Sequence, residues 1–120
     1  MKKIEKLEIY RKIEREGSAE QFDEMWSNLS RGKREVIWSY LNPDKYLTDE
    51  LVLTHIWASY MQEILDFLKE IGVNKFVFAD RSTEAFASIQ ILIKNGCKLS
   101  NIDYQEDFSG IKTGIMVEIA

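Results

Sequence analysis

Between Leu51 and Ile119 the chain writes a strand–helix unit twice and then closes with a hairpin, an order that few folds accommodate. Val52-Leu53-Thr54-His55-Ile56-Trp57 is rich in β-branched and aromatic residues, the composition of a pleated, half-buried strand. Ser59 and Gln62 follow at capping-box spacing, which predicts a helix whose buried stripe is Ile64, Phe67, Leu68 and Ile71. Gly72 stops that helix, since glycine alone enters the left-handed position without steric cost. Lys75-Phe76-Val77-Phe78-Ala79 is apolar without alternation and reads as a strand buried on both faces. The unit then recurs: Ser82 or Thr83 as cap, Phe86, Ile89, Leu92 and Ile93 as stripe, and Gly96 as stop, with Cys97 placed to touch Leu92. A third strand covers about Leu99 to Gln105, with Ile102 and Tyr104 alternating against polar neighbours. Phe108-Ser109-Gly110 through Gly114 forms a loose turn, and Ile115, Val117 and Ile119 form the last strand.

A rival reading runs one long helix from Thr48, because Leu53, Trp57, Tyr60, Ile64, Phe67 and Ile71 also recur at helical spacing. A capping box at Ser59 makes little sense in mid-helix, which favours the strand.

The front of the chain is helical. Ile4, Leu7, Tyr10 and Ile13 predict an amphipathic helix ended by Gly17, with a solvated face of interleaved lysines, arginines and glutamates. Ser18 and Gln21 form a second capping box ahead of a buried stripe of Phe22, Met25, Trp26 and Leu29. Ser30-Arg31-Gly32 breaks the helix, Val36, Ile37, Tyr40 and Leu41 make a short third one, and Asn42-Pro43-Asp44 turns the chain. The expected architecture is α/β, with α+β as the alternative: two to three N-terminal helices (1–46) packed on a β-α-β-α-β-β sheet of three to four strands (47–120), all in one domain.

Composition narrows the function classes. One cysteine cannot form an internal disulfide, which fits a reducing, cytoplasmic setting. No secretory signal and no run of membrane-spanning length is visible. The net charge of −4 is uneven: residues 1–46 carry ten Lys/Arg against nine Asp/Glu, and residues 47–120 six against eleven. An acidic half is repelled by phosphate backbones, which disfavours direct nucleic-acid binding and favours a protein partner with a basic surface.

If the two units form parallel strands, their carboxyl ends share the edge where open α/β sheets bind ligands. There the sequence places His55, Trp57 and Ser59, then Asp80, Arg81, Ser82 and Thr83, then Glu106 and Asp107. His55, the only histidine, is a candidate base with Asp80 as orienter and Ser59 or Ser82 as nucleophile, although no nucleophile elbow surrounds either serine. Residues 80–83 could hold an anion on amides, hydroxyls and the guanidinium, but simple capping explains the same residues and Asp80 opposes an anion. One His and one Cys, far apart, do not suggest zinc, and no cofactor-binding motif is present. Trp26, Trp38, Trp57, Tyr10, Tyr40, Tyr46, Tyr60 and Tyr104 are more aromatic residues than a small core needs; most are expected in the core, Trp26 and Tyr40 by their helical spacing, and any that stay exposed could anchor a protein interface.

The order His55-Ile56-Trp57, an amphipathic helix, Gly72-Val73-Asn74-Lys75-Phe76, Asp80-Arg81-Ser82-Thr83 and Asn95-Gly96-Cys97 resembles a family of short uncharacterised proteins from mobile genetic elements of gut bacteria, over about residues 52–119. The family's tryptophan-bearing hairpin is absent here. The resemblance carries over no functional residue. What it implies is context: an accessory protein that inhibits a host defence nuclease, of anti-CRISPR or anti-restriction type. The expected function is therefore a small cytoplasmic interaction protein, monomer or homodimer. Asp103, Glu106, Asp107 and Glu118 join residues 80–83 as binding candidates, and a site near His55 and Asp80 is the alternative.

Overall fold

The computed structural model describes residues 2–42, 46–106 and 110–120, without the side chains of 46, 47 and 106. A 3-10 turn, Glu5–Leu7, leads into α1 (Glu8–Glu16), α2 (Ala19–Ser27) and α3 (Arg31–Leu41). The two-residue strands β1 (Tyr46–Leu47) and β2 (Val52–Leu53) come next. They are followed by α4 (Ala58–Glu70), β3 (Lys75–Phe78), α5 (Ala85–Lys94), β4 (Lys98–Glu106) and β5 (Gly110–Glu118). The sheet order is β1-β4-β5-β3-β2. The α/β class and helical front stand as expected, but the sheet has five strands, because Tyr46–Leu47 pairs antiparallel with the tip of β4.

β2 and β3 run parallel, Val52 beside Val77 and Leu53 beside Phe78, so the rival long helix is excluded. The strand is shorter than its composition suggests. Its last backbone bond is Ala79 N–H to Leu53 O (3.0 Å), and His55, Ile56 and Trp57 form the connection into α4. β5 lies antiparallel between β3 and β4. It begins at Gly110, so residues 110–114, expected in a loose turn, are strand; residues 107–109, and Pro43 and Asp44 of the expected Asn42-Pro43-Asp44 turn, lie outside the described residues.

Both glycine stops hold. Gly72 (φ +79°) and Gly96 (φ +75°) are left-handed, and the next amides reach back, Val73 to Leu68 O (2.8 Å) and Cys97 to Leu92 O (3.1 Å). The capping box of α2 also forms, with Ser18 Oγ accepting from Gln21 N–H and Gln21 Oε1 accepting from Ser18 N–H. The box expected at Ser59 does not: α4 starts two residues earlier, with Trp57 at its N-cap, and its Ala58 amide donates to Glu84 Oε1 (3.1 Å) from the second unit. Gly32, expected in a break, sits in the first turn of α3, where Glu63 of α4 approaches so closely that a Cβ would collide with it.

One core joins the helical front to the sheet. Leu7, Val36, Ile37 and Tyr40 pack with Leu53, Met61, Ile64, Leu65, Leu68, Phe76, Phe78 and Val117. A smaller cluster of Val52, Val77 and Tyr104 lies on the other face of the sheet, where the Tyr104 ring crosses the bare backbone of Gly114. Two expected stripes are only partly buried. Phe86 and Ile93 of α5 are exposed while Leu92 is fully buried, and no residue of α2 is fully buried. A helix period selects a face, but how deeply that face is covered depends on what packs against it.

Candidate functional site

Parallel pairing of β2 and β3 brings the residues just beyond them together. Ile56 is buried between exposed His55 and Trp57, so this short connection anchors itself by its middle residue and presents its neighbours. Across from it, the turn after β3 is built on Asp80, a buried carboxylate. Ser82 donates to it twice, from the amide to Oδ1 (3.0 Å) and from Oγ to Oδ2 (3.0 Å). Ser82 Oγ in turn accepts from Glu84 N–H (3.2 Å). His55, Trp57, Asp80, Ser82, Thr83 and Glu84 share one shallow pocket of about 300 Å³.

That pocket has a neighbour through the wall formed by His55 and Trp57. The second cavity, about 260 Å³, is floored by α3, which contributes Arg31, Arg34, Glu35 and Trp38 at the i, i+3, i+4, i+7 positions of one face. Trp26 closes it from α2, and Trp57 and Tyr60 from the start of α4. All three tryptophans of the chain thus line one groove. Trp38 is 57% exposed and Trp57 is 59% exposed. Trp26 is held by two neighbours: Phe22 stacks on it at 5.9 Å, and the Arg34 guanidinium lies over its ring. Arg34 also donates to Trp26 O (3.0 Å) and Ser27 O (3.3 Å), spending its charge on the carbonyl end of α2.

Glu35 is the electrostatic centre of this groove. Burial raises its carboxyl above the ordinary value, His55 opposes the shift and Asp80 adds to it, so the three groups feel one another across the shared wall. No hydrogen bond or ion pair joins the Glu35 carboxylate to any other described residue. A raised carboxylate pKa means that the native state binds more protons than the unfolded chain between the ordinary value and the raised one. Stability therefore falls as pH rises through that window, and the penalty is complete above it. Glu35→Gln is expected to raise stability at neutral pH by less than about 1 kcal/mol, allowing for solvent screening of a half-exposed group. The gain should shrink at about pH 4, where Glu35 protonates in both states. Denaturant midpoints at the two pH values check this, and an equal gain at both would deny the carboxylate its cost.

The catalytic geometry expected of His55 is not assembled. Its Nδ1 lies 2.8 Å from Thr54 Oγ1, both Asp80 oxygens are taken by Ser82, and Ser59 is exposed on α4 outside either pocket. The anion reading of residues 80–83 also loses part of its donor set. The Ser82 amide is bonded to Asp80, the Glu84 amide to Ser82 Oγ, the Ala85 amide to Ser82 O (3.1 Å), and Arg81 Nη2 to Thr113 O (2.7 Å). These residues form a structural turn whose Glu84 also caps α4.

The acidic candidates are dispersed. Asp103 accepts from Thr113 Oγ1 (2.8 Å), while Glu118 pairs with Lys75 (3.5 Å). In the β4–β5 register they stand five residues apart, roughly 17 Å, and on opposite faces of the sheet. Glu106 sits at the hairpin tip, five residues beyond Asn101, which is level with Phe78, so it does not converge on the edge after β3; its side chain and Asp107 lie outside the described residues. Burial raises the Cys97 thiol, which leaves less thiolate for chemistry. Among the described residues no group of three or more His, Cys, Asp or Glu is placed to hold a metal ion. No helix among them is long and apolar enough to cross a membrane.

The sequence reading missed Arg31, Arg34 and Glu35. Their spacing with Trp38 on α3 is a visible signal, a polar and aromatic face opposite the buried Val36, Ile37 and Tyr40.

A domain family described as a domain of unknown function (DUF7698) matches residues 35–104, more than half of the chain. The matched span holds Glu35, Trp38, His55, Trp57, Tyr60 and the turn after β3, and starts after Trp26, Arg31 and Arg34. No curated protein and no solved structure matches the chain.

Proposed function

We propose, for a chain that belongs to the DUF7698 family of unknown function, that its task is to bind a protein partner through the tryptophan groove. One observation carries this reading: all three tryptophans line a single open groove, and two of them expose more than half their surface. Leaving two indoles in water forgoes apolar burial, and docking recovers it. Tryptophan and arginine around a desolvated centre are the residues that dominate protein interfaces.

The net charge of −4 supports a partner with a basic surface, and Glu35, Asp80 and Glu84 around the two pockets supply local negative charge. The resemblance to accessory proteins of mobile genetic elements supplies the finer proposal. The chain acts in the cytoplasm as an inhibitor of a nucleic-acid enzyme of host defence, of anti-CRISPR or anti-restriction type, by occupying that enzyme's basic surface. The test is affinity capture from the native host with the parent chain and with a Trp38→Ala, Trp57→Ala double variant. A protein held by the parent and lost by the variant supports the groove; a protein held equally by both places docking elsewhere.

A second reading, a small-molecule site or small enzyme, is favoured by one fact: His55 and Asp80 line the same pocket. On that reading His55→Ala abolishes whatever turnover or ligand binding is assayed. Unchanged activity in that variant would remove it.

A further inference from the structure

We propose that the tryptophan groove is a pocket for one cationic side chain of the partner, an arginine, which lies between the Trp38 and Trp57 indoles and pairs with Glu35. The proposal rests on the protein-binding reading and names the chemistry of the contact.

Among the described residues Glu35 is the only acid lining this cavity, and its carboxylate has no partner there. A half-buried carboxylate with no partner is a defect in a stability sense and a recognition element in a binding sense. The walls around it are aromatic, and aromatic faces attract cations. A guanidinium suits both surroundings, since its plane stacks on an indole while its edge donates two parallel hydrogen bonds to a carboxylate. The field of Asp80 reaches Glu35 across the His55–Trp57 wall and adds negative potential at the same place.

Two arginines of the chain also line the groove, and they decide whether a cation is welcome. Arg34 is committed to the Trp26 ring and to two carbonyls at the end of α2. Arg31 is exposed, has no partner among the described residues, and stands four positions before Glu35 on α3. Arginine ahead of glutamate is the weaker orientation for a helical i, i+4 pair. Arg31 is therefore a loose competitor for Glu35, and an incoming arginine displaces nothing that is held.

The test uses the full chain and a capped Gly-Arg-Gly peptide, with its citrulline counterpart as the neutral isostere. The readout is the three indole N–H signals in a proton–nitrogen correlation spectrum. Binding in the millimolar range is expected for a single anchoring side chain. The citrulline peptide and the Glu35→Gln variant should each weaken it by about fivefold or more, and Arg31→Ala should tighten it. If the groove instead accepts anions or nucleobases, the signs reverse: Arg31→Ala weakens binding, Glu35→Gln does not, and adenosine monophosphate shifts the same indoles. Such a reversal overturns the proposal, as does equal binding of the citrulline peptide or no indole response to arginine. Should the arginine response fail while partner capture still depends on Trp38 and Trp57, the guanidinium pocket is wrong and the docking groove stands. Loss of both removes both.

Discussion

A Trp38→Ala, Trp57→Ala double variant is expected to keep the parent's stability within about 1 kcal/mol and to lose on the order of 100-fold or more in partner affinity. The two halves of this expectation have separate causes. Both indoles are more than half exposed, and neither belongs to either core cluster, so their removal opens no cavity in the folded chain. The Trp57 backbone, whose carbonyl accepts from Tyr60 N–H (2.9 Å) at the start of α4, is untouched by the substitution. In the proposed complex the same two rings are expected to be the largest apolar surfaces removed from water. Phe86→Ala is the matched control, a comparably exposed aromatic on α5 outside the groove, and it should leave binding unchanged. Titration of the captured partner against the parent and the two variants reads the result. Equal losses in the control and the double variant would mean that exposed apolar area in general, and not this groove, drives association.

Tyr40→Ala is expected to be the most destabilising single substitution in the helical front, by about 3–5 kcal/mol, which lowers Tm on the order of 10–20 °C. Tyr40 is fully buried on α3 and does three things at once. Its ring fills the core shared by the helical front and the sheet, its hydroxyl accepts from Ile4 N–H (3.1 Å), and its face carries the Arg11 guanidinium at 4.6 Å. Arg11 also donates to Tyr40 O (3.2 Å), so α1 and the segment before it are tied to α3 through this one residue. Tyr40→Phe keeps the packing and removes only the hydroxyl contact, and should cost about 1 kcal/mol. Because one core spans both parts, far-ultraviolet dichroism and tryptophan emission should report the same midpoint in both variants. Tryptophan emission that moves well before the dichroism would show that the helical front opens by itself.

The chain's local rules were legible because each is decided within a few residues. The capping box at Ser18 and Gln21 closes over three positions, and Gly72 and Gly96 stop their helices because the left-handed backbone they adopt excludes other side chains. Strand pairing between residues 52–53 and 77–78 was also within reach, because two apolar runs joined by an amphipathic helix leave parallel pairing as the economical crossover. What the tertiary structure decided lies at longer range. Ser59 and Glu84 are both reasonable caps for α4, and the choice of Glu84 depends on where the second unit's turn comes to rest. Tyr46–Leu47 is a strand only because the tip of β4 offers it an edge. The acidic residues look like one group along the chain, but the period of two in β4 and β5 sends Asp103 and Glu118 to opposite faces. The groove itself joins α2, α3 and the start of α4. Sequence periodicity says which side of a helix Trp26 or Trp38 occupies, and only packing determines whether a neighbour covers that side or leaves it open.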